Sequence, residues 1–384
     1  MRKHAIILIA AALTACNTVA EAPLSVRVVE SEMHRNPEAS YIDGLEGKLK
    51  WNYTTGLELK AMLDVSSDYL DYVDAWYDAV IDSTGHIYKY KKSNQSLDHI
   101  CPGRTLFQLY EFTGKEKYRM AMDTLYSQLQ SQPRTKEGGF WHKKIYPEQM
   151  WLDGLYMGAP FYAEYTAKYV PDSLKNANYE DIVKQFTLVY EHTLDAKTGL
   201  LRHAWDSSHQ MFWCNPENGQ SAHAWGRAMG WYAMALVEVI PTVPENEALV
   251  DILNKVMDSI LPYADKSSGM WYQVLDCPGR EGNYLEATCS AMFVYAMLKG
   301  TRLGLLNSIT VDDAVEKYAR LLETFVSVDE DGCVNLNHCC EVAGLGGKDN
   351  RSGDYDYYIN EPVRSNDPKG IGPLIWAALE MEMK

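Results

Sequence analysis

The chain is 384 residues long, 46% hydrophobic, and sets 52 acidic against 36 basic side chains for a formal net charge of −16. About 360 residues are ample for one large core, although length alone also permits two domains. The acidic balance argues against nucleic acid or an anionic membrane surface as partner, and it obliges any anionic ligand to find a local cationic pocket.

At the N-terminus, Arg2 and Lys3 precede an apolar run from Ala5 to Leu13, which ends in Leu13-Thr14-Ala15-Cys16. About nine apolar residues fall short of the roughly 20 that a permanent helical span needs. The pattern predicts a lipoprotein signal peptide over 1–15, acylation of Cys16 and a short tether over 16–23. The protein is then expected on a bacterial membrane, facing the periplasm or at the cell surface. An ordinary cleaved signal peptide, with Cys16 incidental, is the alternative. No later segment is apolar enough to span a membrane, so the lipid is the only expected membrane contact. Residues 24–384 read as a single domain.

Beyond the tether, apolar residues recur at three- and four-residue spacing, as in Val183, Phe186, Leu188 and Tyr190. This spacing predicts twelve helices, at about 25–36, 53–64, 66–82, 97–112, 115–131, 151–168, 178–194, 224–240, 246–264, 283–302, 310–326 and 370–383. The links between them alternate. Short ones (about 65, 113–114, 169–177, 241–245 and 303–309) are interleaved with long ones (37–52, 83–96, 132–150, 195–223, 265–282 and 327–369). A turn recurs in the long links, at Asp82–Gly85, Lys136–Gly139, Asp195–Gly199, Asp265–Gly269 and Asp329–Gly332. Its spacing of roughly 55–70 residues marks an internal repeat. Helices such as 97–112, 224–240 and 283–302 are apolar or small around most of their circumference, with Ala224, Gly226, Ala228, Gly230, Ala233 and Ala235 in the second of them. Helices of that kind belong inside. The expected fold is all-α, an (α/α)6 barrel of six helical hairpins with the long loops gathered at one mouth. Short hairpins in those loops are the only β structure anticipated.

Eight cysteines less Cys16 leave seven, so at least one thiol has no partner within the chain. Cys333, Cys339 and Cys340, with His338 nearby, lack the paired CxxC spacing of a zinc site, and no metal is expected there. Twenty-six Tyr and ten Trp suit the stacking of sugar faces, though most of them serve as core.

If the long loops share a face, polar residues just ahead of the inner helices are the candidates for function. Asp153 falls in the first turn of an apolar helix beside Trp151, Tyr156 and Met157. It reads either as a cap or as a desolvated carboxylate with a raised pKa, able to hold a proton at neutral pH. Asp98 opens the fourth helix in Ser96-Leu97-Asp98-His99, where a cap is the plainer reading. Arg227 stands among Gly, Ala and Trp, where an unpaired guanidinium is costly, so it needs a buried carboxylate or an acidic ligand. Trp225 and Trp231, about 1.7 turns apart, can flank it.

Three segments carry a family resemblance: QMWLDGLYMGAPF (149–161), HAWGRAMGWYAMAL (223–236) and, from Val342 to Ile375, VAGLGG followed by DYDYYINEPVRSNDPKGIGPLI. Together they resemble the unsaturated rhamnogalacturonyl hydrolases of glycoside hydrolase family 105. The first two, taken singly, are similar also to the unsaturated glucuronyl hydrolases of family 88. The resemblance runs from about residue 25 to the end and implies an (α/α)6 barrel. It implies Asp153 as catalytic acid and base and Asp98 as the assisting carboxylate. It places Tyr53, His142, Lys143, His203, Trp225, Arg227 and Trp231 along the sugar pocket.

The substrate that this resemblance implies is an oligosaccharide ending in a C4=C5-unsaturated uronic acid, as pectin lyases leave it. Protonation of C4 by Asp153 and addition of water at C5 give a hemiketal that opens and expels the next sugar. One carboxylate serves as acid and then base, for about 10²–10⁴-fold each way. Arg227 or Lys143 would pair with the substrate carboxylate, and no metal or organic cofactor is required. Two rival readings stand beside it: an inverting glycosidase acting on saturated sugars through Asp98 and Asp153, and a non-catalytic glycan-binding lipoprotein.

Overall fold

The computed structural model describes residues 22–383, so Cys16, the expected signal peptide and most of the tether lie outside the described residues. Thirteen α-helices are described. In chain order they are α1 (Leu24–Arg35), α2 (Tyr53–Val65), α3 (Leu70–Val80), α4 (Thr105–Thr113), α5 (Glu116–Gln130), α6 (Leu152–Tyr169) and α7 (Asp172–Thr193). Then follow α8 (Gly226–Val239), α9 (Glu247–Ile260), α10 (Ala287–Arg302), α11 (Val311–Phe325), α12 (Tyr355–Ile359) and α13 (Pro368–Glu382). No helix among the described residues is long and apolar enough to cross a membrane.

The alternation of inner and outer helices follows from where the apolar residues sit. In α8 every residue except Glu238 is buried, and Glu238 is itself paired with Arg104 and Lys299, each at 2.8 Å. In α11 only Ala314, Tyr318, Leu321 and Phe325 are buried, a single stripe at helical spacing. Accordingly α2, α4, α6, α8, α10 and α13 form an inner ring: α13 packs on α2 and α10, α8 on α10 and α6, and the turn leading into α4 on α6 and α2. Behind them lie α3, α5, α7, α9, α11 and α1. The architecture is the (α/α)6 barrel, and its sixth hairpin is made by the last helix and the first. Small residues allow the inner helices to approach closely. A Cβ on Gly226 would lie 2.8 Å from Cys289 Sγ, and one on Gly230 would lie 2.7 Å from Met292 Sδ.

The repeated turn reverses the chain after an outer helix. At Asp82 and Asp195 the carbonyl accepts from Gly85 N (2.9 Å) and Gly199 N (2.8 Å), and both glycines have positive φ. Three antiparallel pairs of short strands sit in the long loops: β1 (Gln149–Trp151) with β2 (Ala204–Asp206), β3 (Val326–Val328) with β4 (Val334–Leu336), and β5 (Cys339–Cys340) with β6 (Val363–Arg364).

Two boundaries differ from expectation in ways that matter to the site. The helix expected from residue 97 begins only at Thr105, preceded by 3-10 turns at Leu97–His99 and Cys101–Arg104. Pro102 has no N–H to donate to the carbonyl of residue 98, and the chain around it winds as 3-10 turns, whereas α6 and α13 carry Pro160 and Pro373 within their length. Asp98 therefore sits in a tight turn and not in an α-helical first turn. The short helix α12, inside the last long loop, was not anticipated.

Candidate active site

The starts of successive inner helices are stitched together by main-chain hydrogen bonds. Leu97 N donates to His142 O (3.0 Å), Leu152 N to His203 O (3.1 Å), His203 N to His223 O (3.2 Å), Gly226 N to Gln273 O (2.9 Å) and Ala287 N to His338 O (3.0 Å). Each loop thereby carries its polar residues to one mouth of the barrel. Pairing of β1 with β2 fixes Trp151 opposite Ala204, which sets Asp153 and His203 next to each other.

Two acid–base clusters result. Asp153 Oδ2 lies 3.3 Å from His203 Nε2, and His203 Nδ1 lies 2.6 Å from the Tyr358 hydroxyl. Asp98 Oδ1 lies 3.3 Å from His142 Nε2, while Lys143 Nζ holds the other oxygen, Oδ2. The Trp151 ring joins the clusters, stacked on His142 at 4.7 Å and edge-on to His203 at 5.3 Å. Asp153, Asp98 and Lys143 keep 14%, 17% and 23% of their side-chain surface open, whereas His142 and His203 are sealed beneath them. The openings are therefore a carboxylate on one side and a carboxylate–ammonium pair on the other. Tyr53, half-buried at the start of α2, adds an edge contact to Trp231 at 6.4 Å. Together with Asp98, Lys50, Glu341, Arg364 and Lys369 it lines a cavity of about 360 Å³.

Three expectations are corrected here. Burial on its own would raise the Asp153 pKa, but the His203 contact and the nearby His142 outweigh it and hold the group below the usual carboxylate range. Asp153 is thus ionised in the resting protein and not a standing acid. Arg227 makes no ion pair among the described residues and does not open to a ligand pocket, although the buried carboxylates of Glu286 and Asp367 act on its charge from a distance. It is 1% exposed and donates to the main-chain carbonyls of Cys340 (2.5 Å) and Glu341 (3.5 Å), with its Nε unpartnered. It clamps the β5 strand to α8. Of the two indoles expected to flank it, Trp225 does so at 4.7 Å, but Trp231 packs on Tyr156 at 4.8 Å. Both indoles are 1% exposed, so they form the wall behind the site and not an open stacking platform.

Burial opposes charge on Asp98 too, yet Lys143 and His142 hold its pKa low. Burial pushes the His142 imidazole down to about 4, against the pull of Asp98. The structure adds residues that the sequence reading did not single out: Tyr358 from α12, Lys369 at the start of α13, and Glu286, which accepts from Cys289 N (2.6 Å) and Cys340 N (2.8 Å). Lys369 carries a sequence signal that was available, since Asp367-Pro368 is a helix start with an N-cap aspartate and a proline at the first helical position.

Cys339 and Cys340 are buried in β5, while Cys333 stands apart, beside His34 and Asp331. That trio and His223–Asp276–Cys277 are the described groups whose ligand atoms lie within 4.8 Å of one another. In the second, Asp276 is already taken by Arg202 (2.5 Å), His223 (3.1 Å) and Ala224 N (3.0 Å). Neither group includes Asp98 or Asp153.

Residues 24–384 match the family model described as Glycosyl Hydrolase Family 88. A solved structure described as a glycoside hydrolase from family 105, of C. acetobutylicum, superposes with a TM-score of 0.88 at 44% identity, covering 94% of this chain and 99% of that one. A protein of Agrobacterium fabrum is 40% identical over 232 residues, which is 58% of this chain and 97% of the relative. The unsaturated rhamnogalacturonyl hydrolase YesR of Bacillus subtilis is 28% identical over 219 residues, 54% of this chain and 59% of the relative.

Proposed function

The chain belongs to Glycosyl Hydrolase Family 88, and on that premise we propose that it removes the terminal C4=C5-unsaturated uronic acid from pectin-derived rhamnogalacturonan oligosaccharides, with Asp153 as acid and base. The observation that carries this reading is the Asp153–His203 contact at 3.3 Å, set at the open mouth opposite the Asp98–Lys143 pair. The likeness to YesR supports the choice of substrate. Family membership favours neither a glycosidase of saturated sugars nor a non-catalytic binder.

The substrate double bond makes C5–O5 an enol ether, whose nucleophilic carbon is C4. Asp153 begins ionised, so its proton arrives with the substrate: a second carboxylate and the exclusion of water both favour the neutral acid. Asp153 then protonates C4, positive charge develops at C5 and O5, and the ionised Asp98 stabilises it. Water adds at C5 and returns its proton to Asp153. The hemiketal opens and the aglycone sugar departs. Lys143 is the accessible cation for the uronate carboxylate, and Arg227 contributes its charge from beneath. The protein is further proposed to act from a lipid anchor at Cys16 on a bacterial membrane, a reading that rests on the N-terminal sequence.

The direct test is turnover in deuterium oxide on a lyase-generated disaccharide. The first-formed product carries one deuterium at C4. Release of a sugar that keeps its double bond and has no deuterium at C4 refutes the reading.

A further inference from the structure

Tyr358 and His203 are both 0% exposed, and 155 residues of chain separate them. The Tyr358 hydroxyl lies 2.6 Å from His203 Nδ1, while the opposite ring nitrogen, Nε2, faces Asp153 Oδ2 at 3.3 Å. The tyrosine is held firmly. Its ring stacks on Trp225 at 5.9 Å and 23°, and its carbonyl accepts from Gln273 Nε2 (3.2 Å), whose Oε1 accepts from Trp225 Nε1 (3.0 Å).

Counting donors decides which way the proton points. A buried O–H with no acceptor costs about 1–3 kcal/mol. Among the described residues, the acceptor that the structure offers this hydroxyl is His203 Nδ1. A neutral imidazole accepts at one nitrogen and donates at the other. If Nδ1 carried the proton, the hydroxyl would lose its acceptor, and a bare Nε2 would face the Asp153 carboxylate, lone pair against lone pair. With Nδ1 as acceptor the hydroxyl is satisfied, and Nε2–H faces Asp153 Oδ2 across 3.3 Å, a contact that is not closed to a hydrogen bond in this structure.

We propose that Tyr358 is a positioning residue of the reaction, whose hydroxyl donates to His203 Nδ1 and so fixes the tautomer that aims Nε2–H at Asp153. The role in turnover rests on the function proposed above. In it, His203 stabilises the Asp153 carboxylate each time the proton leaves and restrains it from drifting off C4. Burial holds the phenol well above its usual range, so it remains a donor. The other titratable groups facing this pair are His142 across Trp151, and Tyr357, Asp276 and Arg351 around Tyr358.

The test reads the tautomer first and turnover second. In protein labelled with ¹⁵N-histidine, with the His203 signals assigned by their loss in His203→Gln, wild type shows an unprotonated Nδ1 and a protonated Nε2. A protonated Nδ1 in the wild type overturns the relay. Tyr358→Phe keeps the ring stack on Trp225 and removes only the donor. The expected result is a protonated Nδ1, a kcat lower by roughly 10–100-fold, the scale seen when the partner orienting a metal-bound histidine is removed, and KM within about twofold. The alkaline limb of kcat moves to higher pH, because a bare Nε2 no longer steadies the Asp153 carboxylate it faces. Wild-type kcat and pH profile in a folded Tyr358→Phe protein overturn the proposal. The tautomer measurement needs no substrate, so inactivity of the wild type on unsaturated uronides would count against the proposed function and not against the relay.

Discussion

Replacing Arg227 by Met is expected to destabilise the protein before it says anything about ligand. The methionine fills the space of the aliphatic stem, but the Cys340 carbonyl, which now receives a charged donor at 2.5 Å, is left buried and unpaired. Hydrogen bonds to charged groups are worth about 1.5–3 kcal/mol. Loss of the contact over Trp225, whose ring the guanidinium meets at 4.7 Å, adds up to about 2 kcal/mol in a dry site. The sum is roughly 1.5–5 kcal/mol. With an unfolding entropy of about 2.1 cal/mol/K per residue, it lowers Tm by roughly 2–7 °C for a domain of this length. Differential scanning calorimetry at neutral pH measures the shift, and kinetics on a lyase-generated disaccharide follow in parallel. Because Glu341, which directly follows β5, borders the cavity beside Asp98, turnover also falls as the strand loosens from α8. A melting curve within about one degree of wild type would refute the clamp and return Arg227 to the role of ligand contact.

Three further outcomes follow from the same geometry. The unfolded chain protonates its histidine near 6.5 while the folded chain resists until about 4 at His142. Stability is therefore full above about 6.5 and falls toward about 4 by roughly 3 kcal/mol; His142→Gln should flatten the melting profile across that window, and an unchanged slope contradicts the assignment. Binding of a uronate to the resting protein should draw a proton onto Asp153, visible as a buffer-dependent enthalpy in titration calorimetry; enthalpies identical across buffers would disprove it. Lys143→Met should raise KM roughly tenfold or more, the loss of one contact to a charged group, while Asp98→Asn should chiefly lower kcat; the reverse pattern would exchange their roles.

The barrel was legible because its signal is local. The apolar circumference of α8 and the stripe of α11 each declare on which layer a helix lies, and the recurring Asp–Gly turn declares the repeat. That α1 backs α13 carried no such signal, since the ring closes between the chain's two ends. Pro102 was plainly visible at 97–112, and its effect on the α-helix was missed. At the site, Asp153 stood out as a polar residue in an apolar first turn, whereas His203 entered through family likeness alone. Its neighbour Tyr358 comes from a five-residue helix in a long loop, and nothing within that loop announces a partner 155 residues away. Arg227 shows the limit most clearly. Its isolation among small and aromatic residues pointed to a buried carboxylate or an acidic ligand, but its hydrogen-bond partner is the carbonyl of Cys340, and every residue type carries a carbonyl. The depressed pKa of Asp153 was hidden for the same reason, because it depends on a histidine delivered by a strand pair and not by the helix on which the acid sits.

The central claim is that one carboxylate, Asp153, protonates C4 of an unsaturated uronic acid. The most direct measurement follows the ultraviolet absorbance of the C4=C5 enol ether when wild type and Asp153→Asn meet a lyase-generated rhamnogalacturonan disaccharide, beside the saturated disaccharide as control. The near-isosteric amide keeps the fold and the bound substrate but has no proton to give. The account predicts that wild type abolishes the absorbance, that Asp153→Asn binds the sugar and leaves the absorbance intact, and that the saturated disaccharide is untouched. Sustained turnover by Asp153→Asn, or release of sugar from the saturated control, would contradict it.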